Sequence, residues 1–468
     1  MTAIAKFALT TASLGVVLLA GCATQPVSAL PALQQAVAGR GDARVAWPQD
    51  AASRAEVDKA VADLLARELT PESAAQIAVL NNRHLRATLE DLGVSQADVL
   101  AAGRLANPTF GAGIRWPDRA PRGPNVEFSL GADLLNAVLL PLRKKVAAEQ
   151  LTQTQRRVAR EVLELAAEAK AAALTVQAGQ QLRARLAAIL DVNAAAADLA
   201  QRQFDAGNIS QLDLVQQQAV WQQTKLDLAQ ADAQLRADRE KLSRLLGLSA
   251  AQTGWQMPSD LPAPPATEPS LADVETIAVD QRLDLAAAAS QVTLARTALK
   301  LKRDTRFLPA NVNLGVNTER ESGGTRLTGP NIELALPVFD QGQPEIARLE
   351  AELRRAEANA EALAGDIRSE ARAARDRLLA ARAAVEFHAT TLLPQRQLIL
   401  RQTLLSYNAM QRGNYELLAA KEREQQAVRA GLEALRDYWL ARVELERALG
   451  GRLPAASGTG TAPAPANP

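Results

Sequence analysis

Residues 204–218, FDAGNISQLDLVQQQ, have a counterpart in residues 407–422, YNAMQRGNYELLAAKE. The two stretches align without gaps at an offset of 203, with an aromatic residue at the start of each and an acidic residue nine positions later. Two earlier pairs of segments repeat in the same order: NPTFGAGI at 107–114 with LPANVNLGV at 308–316, and NVEFSL at 125–130 with NIELAL at 331–336. Several matches in one order indicate that the chain is a tandem duplication.

Each copy is predicted to contain a helix, two strands, a long helix, a tip and a returning helix. The first copy, residues 70–249, has strands expected at about 107–117 and 124–134 and helices at about 140–203 and 210–247. The second copy, residues 271–450, has strands expected at about 309–319 and 330–338 and helices at about 344–406 and 414–449. The remaining segments are an extended or equatorial N-terminal segment at 22–69, a Pro-rich extended linker at 250–270 and a disordered tail at 451–468.

Apolar residues recur every seven positions in the long helices, which is the spacing of a coiled coil. Leu214, Trp221, Leu228, Leu235 and Leu242 form such a row in the returning helix of the first copy. A helix over residues 140–203 would be about 95 Å long at about 1.5 Å per residue. It carries too many charges to lie in lipid, so the sequence predicts long antiparallel helices in water beside a membrane.

The two stretches quoted first are predicted to be the tips of helical hairpins. Gly207 can take the left-handed conformation that ends a helix. Ser210 and Asp213 have the spacing of a capping box for the returning helix. The second copy differs, because Met410 aligns with Gly207 and Gly413 lies three residues later. The geometry of the second tip is therefore left open.

The chain begins with a secretory signal, in which an apolar run over residues 7–20 follows a single lysine and is too short to span a bilayer. The signal is followed by the cysteine of the tetrapeptide Leu-Ala-Gly-Cys at residues 19–22, and Cys22 is the only cysteine. This tetrapeptide resembles the lipobox of bacterial lipoproteins, which implies a signal peptide over residues 1–21 and diacylglyceryl and N-acyl (palmitate-type) lipid on Cys22. Ala23 in the next position implies sorting to the outer membrane. An ordinary signal with an incidental cysteine is the alternative.

The composition argues against nucleic-acid binding and catalysis. The 53 Lys and Arg residues balance the 52 Asp and Glu residues, so there is no basic footprint for nucleic acid. His84 and His388 are the only histidines, and neither has a nucleophile or a carboxylate motif near it in the sequence. Apart from Met1, Met257 and Met410 are the only methionines that could act as soft metal ligands. We therefore expect no enzyme activity, no cofactor and no metal site.

The predicted strands alternate in polarity, as the apolar residues Phe110, Ala112 and Ile114 show in the first strand. Open strand edges are not tolerated in lipid, and four strands are too few to close a barrel. A membrane location would therefore require three copies to pool 12 strands around a pore. A small soluble sheet with one buried face would show the same alternation and is the alternative.

Together these features resemble the outer membrane efflux proteins of the TolC type, also called outer membrane factors. The resemblance covers about residues 70–450, and its most specific segments are the two tips, DLLNAVLLPLRKK at 133–145 and ALRDYWLARVELERALGG at 434–451. It implies a mainly α-helical fold with a transmembrane β-barrel, in which four strands from each protomer of a homotrimer form 12 strands above a long antiparallel α-helical tunnel. It also implies a lipid-anchored protein of the outer membrane with a large periplasmic portion.

The resemblance implies a passive channel, the exit duct of a tripartite efflux system. Its partners would be a periplasmic adaptor (membrane fusion) protein, an inner-membrane pump of the resistance-nodulation-division type, and outer membrane lipid. A periplasm-facing coiled-coil adaptor or scaffolding lipoprotein without a pore is the alternative. The duplication favours the duct, because a typical adaptor has one hairpin between lipoyl-like and barrel segments.

Individual sites follow from the family's tip motif and from the prolines. The resemblance implies that the tips contact the adaptor, at Gly207, Asn208, Gly413 and Asn414. It implies a periplasmic gate formed by acidic residues at the tips, namely Asp213, Glu416 and Asp205. Pro141 and Pro337 are expected at the two strand-to-helix turns, because proline ends ladder pairing and suits the start of a helix.

Overall fold

The structure is a computed structural model that describes residues 28–120, 123–307 and 312–453. The predicted signal peptide, Cys22 and residues 454–468 of the predicted tail lie outside the described residues. The chain divides into two compact units. Of the described residues, unit 1 contains 28–29, 91–120, 123–152, 301–307 and 312–345, and unit 2 contains 30–90, 153–300 and 346–453.

Most of the described chain is helical. The helices are α1 (Leu30–Ala38), α2 (Ala51–Leu65), α3 (Pro71–Asn81), α4 (Arg83–Ala102), α5 (Leu134–Asp205), α6 (Gln211–Leu245), α7 (Val274–Gln281), α8 (Leu283–Asp304), α9 (Gln343–Phe387), α10 (Leu393–Asn408) and α11 (Asn414–Leu449). A 3₁₀ turn covers Ala250–Gln252, and a π-helical turn covers His388–Leu392. The strands are β1 (Thr109–Arg115), β2 (Asn125–Asp133), β3 (Val312–Arg320) and β4 (Arg326–Leu334). Within the described ranges, no helix is long and apolar enough to cross a membrane.

Unit 1 is built around one antiparallel sheet in which the four strands follow one another in chain order. Opposite residues of an antiparallel pair share a face, so the register assigns every even-numbered strand residue to one face. That face is largely apolar and open, with Phe110 69%, Leu130 55% and Ile332 65% exposed. Two of its aromatic rings, Phe110 and Phe128, stack at 6.1 Å. The sheet thus presents a continuous apolar surface that no described residue covers.

The odd-numbered face of the sheet is polar and carries most of the strand charges. Its charged residues are Arg115, Glu127, Asp133, Glu319 and Glu333, which sum to three net negative charges. Glu127 pairs with Arg115 at 2.5 Å and lies directly opposite Glu319 across the β2–β3 ladder. The Asn125 amide donates to Glu319 at 2.5 Å.

The second β-hairpin is tighter than the predicted spans of 309–319 and 330–338. The Glu321 N–H donates to the Thr325 carbonyl at 2.9 Å, and Gly324 takes a φ of 94° that favours glycine. Pairing therefore resumes at once with Arg326 opposite Arg320, and β4 begins four residues earlier than predicted.

The two strand-to-helix prolines occupy different positions. Pro337 lies in the connection between β4 and α9, where the sequence predicts it. Pro141 does not lie at a turn, because α5 starts at Leu134, directly after β2. The run LLNAVLL at 134–140 already continues the helix, so Pro141 sits within it and cannot donate to the carbonyl of residue 137. The predicted role of Pro141 as a strand-to-helix turn is therefore corrected.

The predicted helix from residue 70 to about 105 is two helices, α3 and α4. Thr70 caps α3 with Ser73 in a capping box. Asn82 interrupts the helix with a ψ of 126°, and its Oδ1 accepts from the backbone N–H groups of His84 and Leu85 at 2.9 and 3.0 Å. Its Nδ2 donates to the carbonyl of Leu245 at 2.9 Å. One side chain thus starts α4 and satisfies the end of α6.

The second copy has the same kind of joint, by which we mean a residue between two helices whose side chain bonds to the end of a returning helix. Arg282 interrupts α7 and α8 with a ψ of 120°, and its guanidinium reaches the Ala448 carbonyl at 3.4 Å. The helices that receive these joints end in the left-handed residues Gly247 and Gly450, which are 203 positions apart. A built Cβ would lie 2.4 Å from the Asn81 carbonyl oxygen at Gly247 and 3.0 Å from the Arg282 Cα at Gly450. Close backbone approach therefore requires glycine at both helix ends.

The Pro-rich segment between the copies is held against both of them, and we call residues 257–269 the belt. The carbonyl of Asp260 accepts from Gln177 of α5 at 2.7 Å, and the Trp439 indole of α11 donates to the Pro262 carbonyl at 2.9 Å. The buried Glu268 carboxylate accepts from Arg442 at 2.5 Å and from the hydroxyl of Tyr438. On α9, Arg382 donates to the carbonyls of Pro265 and Ala266 at 3.2 and 2.8 Å.

The N-terminal segment predicted as extended contains two helices in its described part, α1 and α2. Arg40 after α1 donates to the Gln281 carbonyl at 2.8 Å, and Gln76 exchanges two hydrogen bonds with the backbone of Arg44. Residues 36–45 thus contact α3 of the first copy and α7 of the second. The backbone N–H of Arg452 donates to the Arg40 carbonyl at 3.0 Å, so the start of the predicted tail is also ordered by contact.

Candidate functional site: the tips of the two helical hairpins

The first tip joins α5 to α6, which together form the first hairpin. Gly207 has a φ of 74°, its N–H donates to the Phe204 carbonyl at 2.8 Å, and the Asn208 N–H donates to the Gln203 carbonyl at 2.8 Å. This pair of bonds is a Schellman motif. Ser210 caps α6, with its hydroxyl accepting from the Asp213 N–H at 3.2 Å. The first tip therefore has a glycine where the chain turns and a satisfied helix start.

The second tip joins α10 to α11, which with α9 form the second hairpin. Met410 takes the left-handed conformation, with a φ of 57°, and its N–H donates to the Tyr407 carbonyl at 2.8 Å. The Gln411 N–H donates to the Ser406 carbonyl at 2.9 Å, which completes the same motif. The gapless alignment thus predicts the turn position, and the shifted Gly413 is instead the N-cap of α11, without a side-chain bond. The second tip has the backbone of the first without its favourable residues.

Asp213 of the first tip and Tyr415 of the second affect each other's pKa. Hydrogen bonds from Ser210 and then from Tyr415 hold the pKa of the Asp213 carboxyl below its usual value. Partial burial, together with the hydrogen bond to Asp213, raises the pKa of Tyr415 to about 12. Because both shifts favour the ionised carboxylate and the neutral phenol, the contact is strongest between the ordinary pKa values of the two groups.

Tyr415 was not a candidate from the sequence. It aligns with the apolar Leu212 in the duplication, and this replacement of an apolar residue by a phenol is the signal that could have found it.

The other predicted acidic residues lie nearby without joining this contact. Glu416 in the first turn of α11 pairs with Arg412, which precedes the helix, at 3.7 Å, and both side chains are more than half exposed. Asp205 accepts from Gln201 at 2.9 Å on the last turn of α5. Asn208 is exposed at the first tip, and Asn414 is the first residue of α11 at the second. Of the three predicted gate residues, the structure brings only Asp213 into contact with the other tip.

The described residues also bear on metal binding. Over 28–120, 123–307 and 312–453, no group of three or more His, Cys, Asp or Glu side chains is placed to hold a metal ion.

Comparisons with known proteins give a consistent class. No protein-family model matches the chain. It is similar to the cobalt-zinc-cadmium resistance protein CzcC of Cupriavidus metallidurans, with 22% identity over 308 residues, which are 63% of this chain and 70% of CzcC. The solved structure of CusC, described as forming a transmembrane channel, superimposes with a TM-score of 0.67 at 17% identity and covers 82% of this chain and 92% of CusC. That of the outer-membrane channel OprN superimposes with a TM-score of 0.67 at 16% identity, covering 89% of this chain and 95% of OprN.

The chain therefore has the fold of the solved channel structures CusC and OprN. The mainly α-helical fold expected from the sequence resemblance is confirmed.

Proposed function

We propose that this protein is the exit duct of a tripartite efflux system, a passive outer membrane channel that carries substrates from the periplasm to the exterior. The single observation that carries the proposal is the sheet of unit 1. Its even-numbered face is an open apolar surface, and its odd-numbered face is polar. Lipid on one side and water on the other would satisfy both faces at once.

Closure of the sheet supports a trimer. Strands β1 and β4 are the first and last in the sheet order, so each has one side without a strand partner among the described residues. Unpaired backbone groups in hydrocarbon cost several kcal/mol each. Three protomers that pair β4 with β1 of the neighbour would form a barrel of 12 strands without an open edge. A barrel of that size is wide enough for an aqueous pore.

The helical hairpins of unit 2 are proposed as the periplasmic tunnel, with their tips at the entrance. Asp213, Glu416 and Asp205 would form the gate, and residues 207, 208, 413 and 414 would contact a periplasmic adaptor that couples the duct to an inner-membrane pump of the resistance-nodulation-division type. A lipid on Cys22 would tether monomers to the outer membrane before the strands of three copies close.

The charge of the polar face supports cationic substrates. Four carboxylates and one guanidinium lie on that face of each protomer, and acidic linings favour cations in channels. The name of the similar CzcC protein mentions resistance to cobalt, zinc and cadmium. We therefore propose metal cations as the first substrates to test.

The test is conductance of the purified full chain in planar bilayers, together with trimer migration on unheated gels. We expect discrete conductance steps from a heat-modifiable trimer. A monomer that gives no conductance and is released from membranes when the lipid is removed from Cys22 would support the scaffolding lipoprotein instead.

A further inference from the structure

The apolar face of the sheet carries two charged side chains, Arg320 and Arg326. The register places these residues directly opposite each other, at the end of β3 and the start of β4. Every other even-numbered strand residue is uncharged, and the strand carboxylates all belong to the odd-numbered face. Two guanidinium groups therefore share this face with no strand carboxylate to balance them.

The backbone holds the two arginines together. The turn between them is closed by the Glu321 N–H, which donates to the Thr325 carbonyl at 2.9 Å. In the next row of the ladder, the hydroxyls of Thr318 and Thr328 share a hydrogen bond at 2.8 Å. Both arginines are exposed, and neither forms an ion pair with another described residue. Like charges directly opposite in a ladder are unfavourable, so the pair lacks an anion.

The pair lies at the boundary of the apolar surface. Beyond the threonine row, three apolar rows follow along β3 and β4, at Val316 with Pro330, Leu314 with Ile332, and Val312 with Leu334. On its other side, Arg320 lies opposite the apolar Val126 of β2. Successive rows of one face are about 7 Å apart along a strand. The arginines therefore lie about 14 Å along the strands from the first fully apolar row of their hairpin, at the end of the sheet that carries the β-turns.

The membrane placement in the proposed function gives this pair a chemical partner. With the apolar rows in hydrocarbon, the arginines would reach the polar layer of lipid headgroups. A guanidinium binds phosphate oxygens through two parallel hydrogen bonds. The Cβ atoms of directly opposite residues are about 5 Å apart. One phosphate group can therefore accept from Arg320 and Arg326 together.

The charge of the pair favours one kind of phosphate. A phosphate monoester carries about −1.5 to −2 charges at neutral pH, whereas a phosphodiester carries a single negative charge. The two guanidinium groups carry two positive charges, which a monoester balances and a diester does not.

We propose that Arg320 and Arg326 bind the phosphate monoester headgroup of a lipid in the outer leaflet, whose acyl chains lie along the apolar rows of β3 and β4. The site rests on the membrane placement in the proposed function. A trimer would carry three such sites, one on each protomer.

The experiment is native mass spectrometry of the delipidated full chain in detergent, titrated with phosphatidic acid, phosphatidylglycerol and phosphatidylcholine. Only phosphatidic acid has a monoester headgroup. We expect the wild type to bind it at least fivefold more tightly than phosphatidylglycerol, and phosphatidylcholine more weakly still. Arg320→Gln with Arg326→Gln should lower the affinity for phosphatidic acid at least tenfold. Arg320→Lys with Arg326→Lys should lower it severalfold, because lysine keeps the charge without the fork.

Arg115→Gln is the matched control. Arg115 lies at the same end of the sheet but on the odd-numbered face, where it pairs with Glu127. This variant should bind phosphatidic acid like the wild type. Circular dichroism checks that each variant is folded, and the lysine variant decides the question if the glutamine variant is not.

Equal affinity in the wild type and the glutamine variant would overturn the site, as would an equal loss in Arg115→Gln. Displacement of phosphatidic acid by an equal concentration of inorganic phosphate would also overturn it, because the acyl chains would then contribute nothing. If an assembled trimer binds none of the three lipids, a carboxylate of the neighbouring protomer fills the position instead.

Conductance in planar bilayers separates this site from the duct. A conducting trimer without a preference for phosphatidic acid rejects the site alone. A chain that gives no conductance but binds phosphatidic acid through the two arginines rejects the duct alone. A chain that neither conducts nor binds rejects both.

Discussion

At the scale of single residues, the tips show how the duplication copied a backbone without copying its best residues. Gly207 and Met410 make the same turn bonds, yet only glycine takes a positive φ without a steric penalty. The side chain of Met410 is 95% exposed, so no packing compensates for its conformation within this chain. The second tip is therefore the less stable of the two.

Met410→Gly should stabilise the second tip by about 0.5–1 kcal/mol, because it removes the strain of the left-handed conformation. The reciprocal change Gly207→Ala should destabilise the first tip by about 1 kcal/mol, since open space around Gly207 leaves only the backbone effect. The free energy of local opening from amide exchange at residues 205–210 and 408–413 measures both. Equal effects of the same sign at the two tips would contradict this explanation.

Tyr415→Phe removes the hydroxyl that contacts Asp213 and should raise the open probability of the channel severalfold at neutral pH. Single-channel recording measures this, and Tyr407→Phe at the same tip is the control. If both variants behave alike, the Tyr415 hydroxyl does not keep the channel closed.

The pH dependence of this contact follows from the two pKa shifts. The pKa of Asp213 is lowered in the fold. Its contribution to the stability of the folded tips is therefore complete above the ordinary pKa of 3.8 and is lost as the pH falls through the lower folded pKa. The pKa of Tyr415 is raised to about 12, so its contribution is complete below the ordinary value of 10.0 and is lost as the pH rises toward 12. We expect the open probability of the wild-type channel to rise at both extremes, and that of Tyr415→Phe to change less.

At the scale of elements, the repeated joint between a broken helix and a glycine-ended helix is the clearest mark of the duplication. The sequence predicts one helix from residue 70 to about 105, because Thr70 and Pro71 mark a helix start. The break depends on the carbonyl groups of α6, which lie more than 160 positions away. The bond to α6 leaves no local signal in the sequence, whereas the capping of α4 by Asn82 is local.

Gly247→Ala should destabilise the protein by about 3 kcal/mol, because its Cβ would overlap the Asn81 carbonyl and its φ of 67° favours glycine. The denaturant midpoint of unit 2, followed by helical circular dichroism, measures the effect. Gly254→Ala, at a glycine with open space around it, should change the midpoint little. A small loss of stability for Gly247→Ala would mean that the backbone around Asn81 shifts at little cost to make room for the methyl group.

At the scale of the whole molecule, the charge of the sheet bears on the proposed transport of cations. Glu127 and Glu319 face each other on the polar side, where Arg115 and Asn125 satisfy them singly. Like charges directly opposite are unfavourable in a ladder. Their presence is explained if this face attracts cations in a pore.

Glu127→Gln with Glu319→Gln should reduce the cation preference of the channel, because six carboxylates are removed from a trimer. The reversal potential in a salt gradient measures the change. It should decrease without reaching zero, because Asp133 and Glu333 still outnumber Arg115 on the polar face. Asp58→Asn on α2 removes a charge outside the sheet and is the control. An unaltered reversal potential in the double variant would show that selectivity is set elsewhere.

The sequence by itself determined the duplication, the alternation of the strands and the first tip, because each is a pattern of residue types that is visible along the chain without its contacts. The sequence left the geometry of the second tip open, and the structure shows that Met410 is its left-handed residue. The tertiary structure decided the break at Asn82, the early start of α5 before Pro141, the belt anchored by Glu268 and the contact of Tyr415 with Asp213. Each of these depends on partners that only folding brings together, or on helix bonding that continues through a proline.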